Sequence, residues 1–432
     1  MAKSQTIKPG YLFTPRYTNY VFSLLFLLYM FDYIDRMIIG ALVPFIQADW
    51  GIDDAQIPML SSVVYWTIVG LTLPLSTLVD RWSRRKTIGA MATIWSLATA
   101  ACAFTGSFGG LMVARGFVGS GEAGYAPGGS AMISAMYPKE KRSWIMGLWN
   151  ASIPLGAAIG VALGGIIAAN WGWKSAFGIV AVPGLLIAIL FFFVKDYKTV
   201  PLYKKEAVVD TPKKSRMGFK ELMKEFFSKP ALVFTYFGFT GVVFVTTSIL
   251  FWLPSYFERM YDLPMEKAAP KASIVMLLAI IGAPLGGYLT DRWRKKRINA
   301  RLLFPSISTI TAALFCFLGF TIFIDAQQYI VFLLMGKVIT SFIPGAAATT
   351  QDLVHPGLRA TSFAIAVFIQ NLIGASLGPI VIGNIAKRTD LATAMKTLPI
   401  FLVIAAILFF IGSLYYKRDL AKVEVVKLEV KD

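Results

Sequence analysis

The sequence has 432 residues and is 56% hydrophobic but only 15% charged, well below the roughly 25% charge of soluble domains. Its apolar residues come in blocks near the roughly 20 residues that cross the hydrocarbon core of a bilayer, and such blocks satisfy their backbone groups as helices. The formal net charge of +18 lies in short segments between those blocks, which points to charge-directed membrane topology and excludes nucleic acid, the partner such a balance suggests in a soluble chain.

In chain order, a charged stretch (Lys3, Lys8, Arg16) precedes the first apolar run, and no small-residue cleavage site follows. That run is therefore a first span rather than a removed leader. The blocks predict twelve spans, near 18–47, 57–79, 87–106, 109–136, 142–169, 173–194, 231–257, 269–290, 301–324, 328–353, 358–386 and 394–415. Alternate connections are basic. They include the N-terminus, Arg81/Arg84/Arg85/Lys86, Lys139/Lys141/Arg142, the stretch 195–229, Arg292/Arg294/Lys295/Lys296/Arg297, Arg359 and the tail from Lys417. The opposite connections are poor in charge or acidic, as at Asp49, Asp53 and Asp54, and Lys387/Arg388 is a local exception. This asymmetry predicts a multi-pass protein of a cell (bacterial inner) membrane with both termini cytoplasmic.

The stretch 195–229 carries ten Lys/Arg and five Asp/Glu and divides the spans six and six. The expected organisation is a six-helix bundle over 1–194, a cytoplasmic linker over 195–229, a second bundle over 230–416 and a tail over 417–432. Within the linker, the amphipathic pattern of 216–228 predicts an interfacial helix. The halves repeat. The loop after span two reads Ser76-Thr-Leu-Val-Asp80-Arg81-Trp82, and the loop after span eight reads Gly287-Tyr-Leu-Thr-Asp291-Arg292-Trp293, each followed by basic residues. One order at equivalent places in both halves indicates duplication of a six-helix unit.

That repeated loop resembles the signature between helices two and three of the major facilitator superfamily. Arg115-Gly-Phe-Val-Gly119-Ser-Gly121-Glu122-Ala123 is similar to its fourth-helix signature, and Gly156-x3-Gly160-x3-Gly164-Gly165 to its Gly-rich fifth helix. Asp35-Arg36, Trp252-Leu-Pro254 and Leu358-Arg359-Ala360 extend the resemblance over nearly the whole chain. It implies an all-α membrane fold of two pseudo-symmetric six-helix bundles. Tyr33-Ile-Asp35-Arg36 with Gly121-Glu122-Ala123-Gly124 resembles the anion:cation symporters of sugar acids and other carboxylates. The same Gly121-Glu122-Ala123 and the stretch from Leu358 to Gly374 also resemble the Spinster-like carriers of lysolipids. Two positions depart: Ser76 stands where the loop signature usually has Gly, and Asp32 stands where the symporters commonly have Asn.

Ionisable groups inside spans are costly, roughly 2.5–3.5 kcal/mol each at a helix centre on insertion scales, and are functional candidates by default. Asp32, Asp35 and Arg36 lie in span one at spacings that give Asp32 one face with the other two. Asp35 is expected to accept a proton and Arg36 to hold either Asp35 or a substrate anion; a static ion pair is the competing reading. Glu122 stands among Gly and Ala with no basic residue within one turn. Burial disfavours its charged form, which suits a group that loads and releases protons. Arg115, two turns earlier, serves either proton coupling or helix packing. Lys337 lies near the middle of span ten and is expected to attract an anion from the second half. Tyr65, Asn150, Tyr236, Gln370 and Asn371 are the further candidates for ordering a substrate, although each alone is more often a packing or interhelical hydrogen-bonding residue. Asp80, Arg81, Arg84, Asp291 and Arg292 are expected to make gating contacts across the cytoplasmic face.

There is no nucleotide loop and no zinc spacing, and the single histidine is His355. No cofactor, no metal and no enzymatic activity are therefore expected. Cys102 and Cys316 lie inside apolar blocks and are expected to be packing residues. The expected function is proton-coupled symport of a small organic anion, a sugar acid or monocarboxylate, by a monomer in the lipid bilayer. The alternatives are a lysophospholipid carrier and a non-transporting membrane sensor.

Overall fold

The computed structural model describes residues 11–81, 83–196, 225–355 and 358–423. The first half holds α1 (Pro15–Trp50), α2 (Met59–Arg81), α3 (Arg84–Cys102), α4 (Phe108–Glu122 and Tyr125–Met136), α5 (Lys139–Asn150 and Ser152–Trp171) and α6 (Trp173–Phe191). The second half begins with α7 (Pro230–Tyr261), α8 (Met265–Leu277 and Ala279–Arg294) and α9 (Ala300–Phe317, closed by a π-turn at Leu318–Ile322). It continues with α10 (Asp325–Ile339 and Ile343–Asp352), α11 (Arg359–Ile369, a π-turn at Gln370–Ala375, then Ser376–Arg388) and α12 (Leu391–Met395 and Leu398–Ala421). These are the twelve spans of an all-helical membrane protein.

Local chemistry marks the ends of the helices. Ser83 and Ser107 accept hydrogen bonds from the backbone N–H of Lys86 (3.1 Å) and Gly110 (3.2 Å), capping α3 and α4. Gly51 ends α1 in the left-handed region at φ 64°, a conformation that costs glycine nothing. Eight of the described stretches are long and apolar enough to cross a membrane by composition alone. The α1 helix carries Asp32, Asp35 and Arg36 buried in its interior. Large apolar side chains such as Phe117, Leu186, Phe193, Leu314 and Leu414 are exposed on the outside, where hydrocarbon replaces water as solvent. Cys102 and Cys316 are buried free thiols.

Glycine permits the tightest packing. A Cβ on Gly160 of α5 would lie 2.5 Å from the Ile34 carbonyl oxygen of α1, and one on Gly286 of α8 would lie 2.0 Å from the Ser341 carbonyl oxygen of α10. Both neighbours are backbone and cannot rotate away. Gly160→Val is expected to destabilise the first bundle by about 1–3 kcal/mol, the usual cost of overpacking, measured as a lower thermal midpoint of the detergent-solubilised protein.

The halves meet along α1 with α7, α2 with α11, and α5 with α8. A Cβ on Gly40 would lie 2.8 Å from the Phe251 carbonyl oxygen, and one on Gly165 would lie 2.4 Å from the Ala269 Cβ. The Ser62 hydroxyl donates to the Ser376 carbonyl at 2.6 Å. One helix end differs from the sequence expectation. The α12 helix runs through Ala421, past residue 416. Most of the expected interfacial helix at 216–228 lies outside the described residues; its last part, 225–227, is helical.

Candidate functional site

Midway along α1, the Arg36 guanidinium is held from two sides. One Nη donates to Asp32 one turn earlier at 2.7 Å and lies 2.9 Å from Glu122 of α4. The carboxyl groups of Asp32 and Glu122 also approach each other. Arg36 is 9% exposed, Asp32 1% and Glu122 3%. The cation lies 4.7 Å from the ring centre of Tyr33 and 5.7 Å from that of Tyr65, so aromatic faces complete its surroundings. Behind it, Tyr29 stacks on Trp149 at 4.4 Å between ring centres. Among the described residues, the Glu122 carboxylate has no partner beyond Arg36 and the approaching Asp32 carboxyl.

The geometry corrects two expectations. Arg36 does not hold Asp35, and Glu122 is not isolated. A helix turn of 3.6 residues brings Asp32 under Arg36 and aims the adjacent Asp35 elsewhere. Asp35 meets Arg115 of α4, whose Nη1 lies 3.3 Å from the carboxylate and 3.1 Å from the Asp35 carbonyl oxygen. Arg115 Nε donates to the Leu60 carbonyl at 3.3 Å, so one fully buried guanidinium ties α4 to α1 and α2. The first half therefore buries three carboxyl groups and two guanidinium groups in one contiguous cluster.

Arg36 borders a gap of about 10 Å³, room for about one water molecule, lined with Ser61, Tyr65, Thr247, Phe251, Ala375 and Pro379. The second half faces this gap with α7 and α11, not α10. Lys337 is exposed on α10 and is not among the lining residues. Tyr65 lines the gap. Gln370 and Asn371 lie in the π-turn of α11, one turn from the lining residue Ala375; Gln370 is buried and its Nε2 has no partner among the described residues. Such π-turns are frequent at functional sites. Asn150 is exposed and donates to the Met146 carbonyl of its own helix at 2.9 Å. Tyr236 is fully buried and shares a hydrogen bond with Ser362 at 2.7 Å, which turns it into the bundle. Asn150 and Tyr236 thus lie outside the gap.

The sequence reading missed Tyr33, Ser61, Thr247 and Phe251. Tyr33 carried a signal, because it adjoins the charged turn of α1. The other three are ordinary span residues singled out only by where their helices cross.

The contacts expected across the basic loops fall in part outside the described residues. The side chains of Asp80 and Arg81 lie outside the described residues. Arg84 is half-buried at the start of α3, Asp291 is exposed, and Arg292 donates to Tyr288 of its own helix at 3.2 Å. The inter-half clamp lies at the opposite end. Arg259 of α7 grips Asp54 with two parallel hydrogen bonds of 2.7 and 2.8 Å. Gln47 accepts from Arg259 at 2.9 Å and donates to Asp54 at 2.8 Å, closing the ring. Lys387 of α11 adds an ion pair to Asp53 at 2.8 Å.

The sequence matches the Major Facilitator Superfamily over residues 25–379. It is 27% identical to the hexuronate transporter of Bacillus subtilis over 380 residues, covering 85% of this chain and 88% of that protein. It is 25% identical to protein spinster homolog 1 of Xenopus laevis over 436 residues, covering 93% and 82%. Among solved structures, a bacterial homolog of the human lysosomal transporter Spinster, in an inward-facing and unoccupied conformation, superimposes with a TM-score of 0.81 at 22% identity, covering 94% of this chain and 99% of that one. Twelve helices in two halves, a buried charge cluster where the halves meet, and a family match across most of the sequence lead to one assignment: this chain belongs to the Major Facilitator Superfamily, as a multi-pass membrane transporter and not an enzyme.

Proposed function

We propose that this transporter carries a small organic anion of the sugar-acid class together with protons, by alternating access to a site centred on Arg36. The observation that carries the reading is a buried guanidinium, clasped by two carboxyl groups and bordering the gap between the halves. A guanidinium suits bidentate binding of a carboxylate. While Asp32 and Glu122 are ionised, they occupy it. Protonation of the carboxyl cluster, to which Glu122 and Asp35 belong, loosens that clasp and releases Arg36 to the substrate. Proton and anion loading are thereby linked through one side chain. Tyr65 forms a wall of the site. Gln370 and Asn371 offer hydrogen bonds to sugar hydroxyls. The 27% identity to a hexuronate transporter supports the substrate class.

The basic loops put the end away from the Arg259–Asp54 clamp in the cytoplasm, with both termini. The clamp is then the closed outer gate, and the conformation is inward-facing. The chain acts as a monomer in the inner membrane.

Similarity to protein spinster homolog 1 over 93% of the chain favours a second reading, an amphiphile carrier that keeps the proton machinery. Proteoliposome uptake under an imposed pH gradient separates the two. Glucuronate or galactonate is expected to accumulate and a lysophospholipid is not; the reverse result would establish the amphiphile reading instead. Glu122→Gln is expected to lower gradient-driven accumulation by about tenfold per unit of pH gradient, the driving force of one proton, while counterflow exchange continues. Glucuronate uptake that carries no protons would refute the coupling.

A further inference from the structure

We propose that Arg259 and Lys387 form a second binding site for the carboxylate of the transported anion, at the mouth of the pathway, and that Asp54 and Asp53 fill it while the gate is shut. The inference rests on the sugar-acid reading and the orientation above, and it involves no proton step.

The two cations stand on the transport path. Phe251 of α7 and Pro379 of α11 line the gap beside Arg36. Arg259 follows Phe251, and Lys387 follows Pro379, by eight residues each, about 12 Å along a helix at roughly 1.5 Å per residue. Both helices run towards the clamp end, so the cations lie outward of the gap on the two helices that line it. On α1, Gln47 lies beyond Arg36 in the same direction.

The ring has the geometry of a carboxylate receptor. Arg259 presents both Nη atoms to the two oxygens of Asp54, at 2.7 and 2.8 Å. A guanidinium grips any carboxylate in this two-pronged way. Gln47 Nε2 adds a third donor at 2.8 Å. Lys387 holds Asp53, the preceding carboxylate, at 2.8 Å. Asp54 thus sits where the carboxylate of a free anion would.

The charges divide by half. In both pairs the acid belongs to the first half and the cation to the second. When the halves part at this end, Asp53 and Asp54 leave with the first. Arg259 and Lys387 stay together on the second, without the carboxylates that neutralised them. Glu258 adjoins Arg259 but pairs with neither cation among the described residues. Cations lining a cleft raise the local concentration of an anion. An entering monoanion takes the place of Asp54 on Arg259, and then moves inward to Arg36.

The test compares two variants that break the same bonds. Asp54→Asn and Arg259→Gln both undo the grip, so a latch alone would give them equal effects. KM for D-glucuronate is measured in right-side-out vesicles, which present the clamp face to the medium, and in inside-out vesicles. On the clamp face, KM is expected to be about tenfold higher in Arg259→Gln than in Asp54→Asn, the usual weight of a charge-assisted hydrogen bond. On the other face the two are expected to agree within about twofold. Added salt is expected to weaken clamp-face uptake more in Asp54→Asn than in Arg259→Gln, because screening acts on the freed guanidinium. Equal clamp-face KM values, or equal salt dependence, overturn the inference and leave Arg259 a latch. Should either variant fail to fold, Asp53→Asn against Lys387→Gln makes the same contrast at side chains 36% and 56% exposed. A difference of about threefold is expected there, and equality overturns the inference as well. Wild-type vesicles that carry no glucuronate from either face would instead defeat the sugar-acid reading itself.

Discussion

Replacing Arg36 by alanine is expected to abolish glucuronate accumulation in proteoliposomes and to lower the stability of the first bundle. Arg36 is the only cation that touches Asp32 and Glu122 among the described residues. Removing one partner of a buried ion pair costs about 3–5 kcal/mol, because the remaining charge is left without compensation. Here two carboxyl groups on different helices are left facing each other. Binding energy of that size corresponds to a loss of about 100-fold or more in substrate affinity. Arg36→Lys is expected to recover only part of it, since an ammonium is a compact charge without the planar fork that reaches two carboxylates at once. Uptake by Arg36→Ala within tenfold of wild type would remove this side chain from the transport site. A thermal-shift measurement on the same variant separates the stability loss from the loss of binding.

Breaking the clamp at the other end of the α1–α7 contact is expected to have the second largest effect, on conformation rather than on chemistry. Arg259 and Asp54 join the halves through two hydrogen bonds, with Gln47 closing the ring. The Arg259 side chain is 33% exposed, so its worth is discounted for solvent screening to about 1–2 kcal/mol. A change of that size shifts a two-state ratio by about five- to thirtyfold. Arg259→Ala is therefore expected to raise the population open on the clamp side. The readout is labelling of a cysteine placed at Ser61 by a membrane-impermeant thiol reagent added to that face. The native Cys102 and Cys316 are both buried, which keeps the background low. Unchanged labelling would show that apolar packing, not the ring, holds the gate.

The clamp also has a defined pH dependence. Burial pushes the Asp54 carboxyl up, but hydrogen bonds from Arg259 and Gln47 outweigh it and hold the group below the ordinary carboxylate range. A carboxyl group lowered in the closed state contributes fully above its free value of about 4 and loses that contribution as pH falls through the lowered value. Gate closure is expected to be constant from about pH 5 upward and to weaken only in stronger acid. The adjacent Asp53 is lowered in the same direction, chiefly by its hydrogen bond from Lys387.

Much of this was readable from the chain. Apolar blocks near the bilayer thickness set the span count, because in hydrocarbon a backbone must bond to itself. The paired loops at Asp80-Arg81-Trp82 and Asp291-Arg292-Trp293 marked the two halves without any coordinates. Charge inside a span is costly enough that Asp32, Asp35, Arg36, Arg115 and Glu122 stood out, and all five lie in one cluster. The pairings within it did not follow from the chain. Asp32–Arg36 was legible because it lies within one helical turn. Glu122–Arg36 and Asp35–Arg115 join α4 to α1 across a long stretch of sequence, and their choice depends on how those helices rotate against each other.

Gating shows the same limit. Basic loops advertise themselves by composition, whereas the clamp belongs to Gln47, Asp54 and Arg259, single polar residues at span ends with no motif around them. By itself the sequence determined twelve helices in two repeated halves and named the buried charges, because those properties are local: length, hydropathy and the cost of a charge in hydrocarbon. Only the tertiary structure decided that Arg36 is shared by two carboxyl groups, that α7 and α11 rather than α10 face it, and that the halves are locked at one end. Each of those depends on distances between helices, which no local pattern encodes.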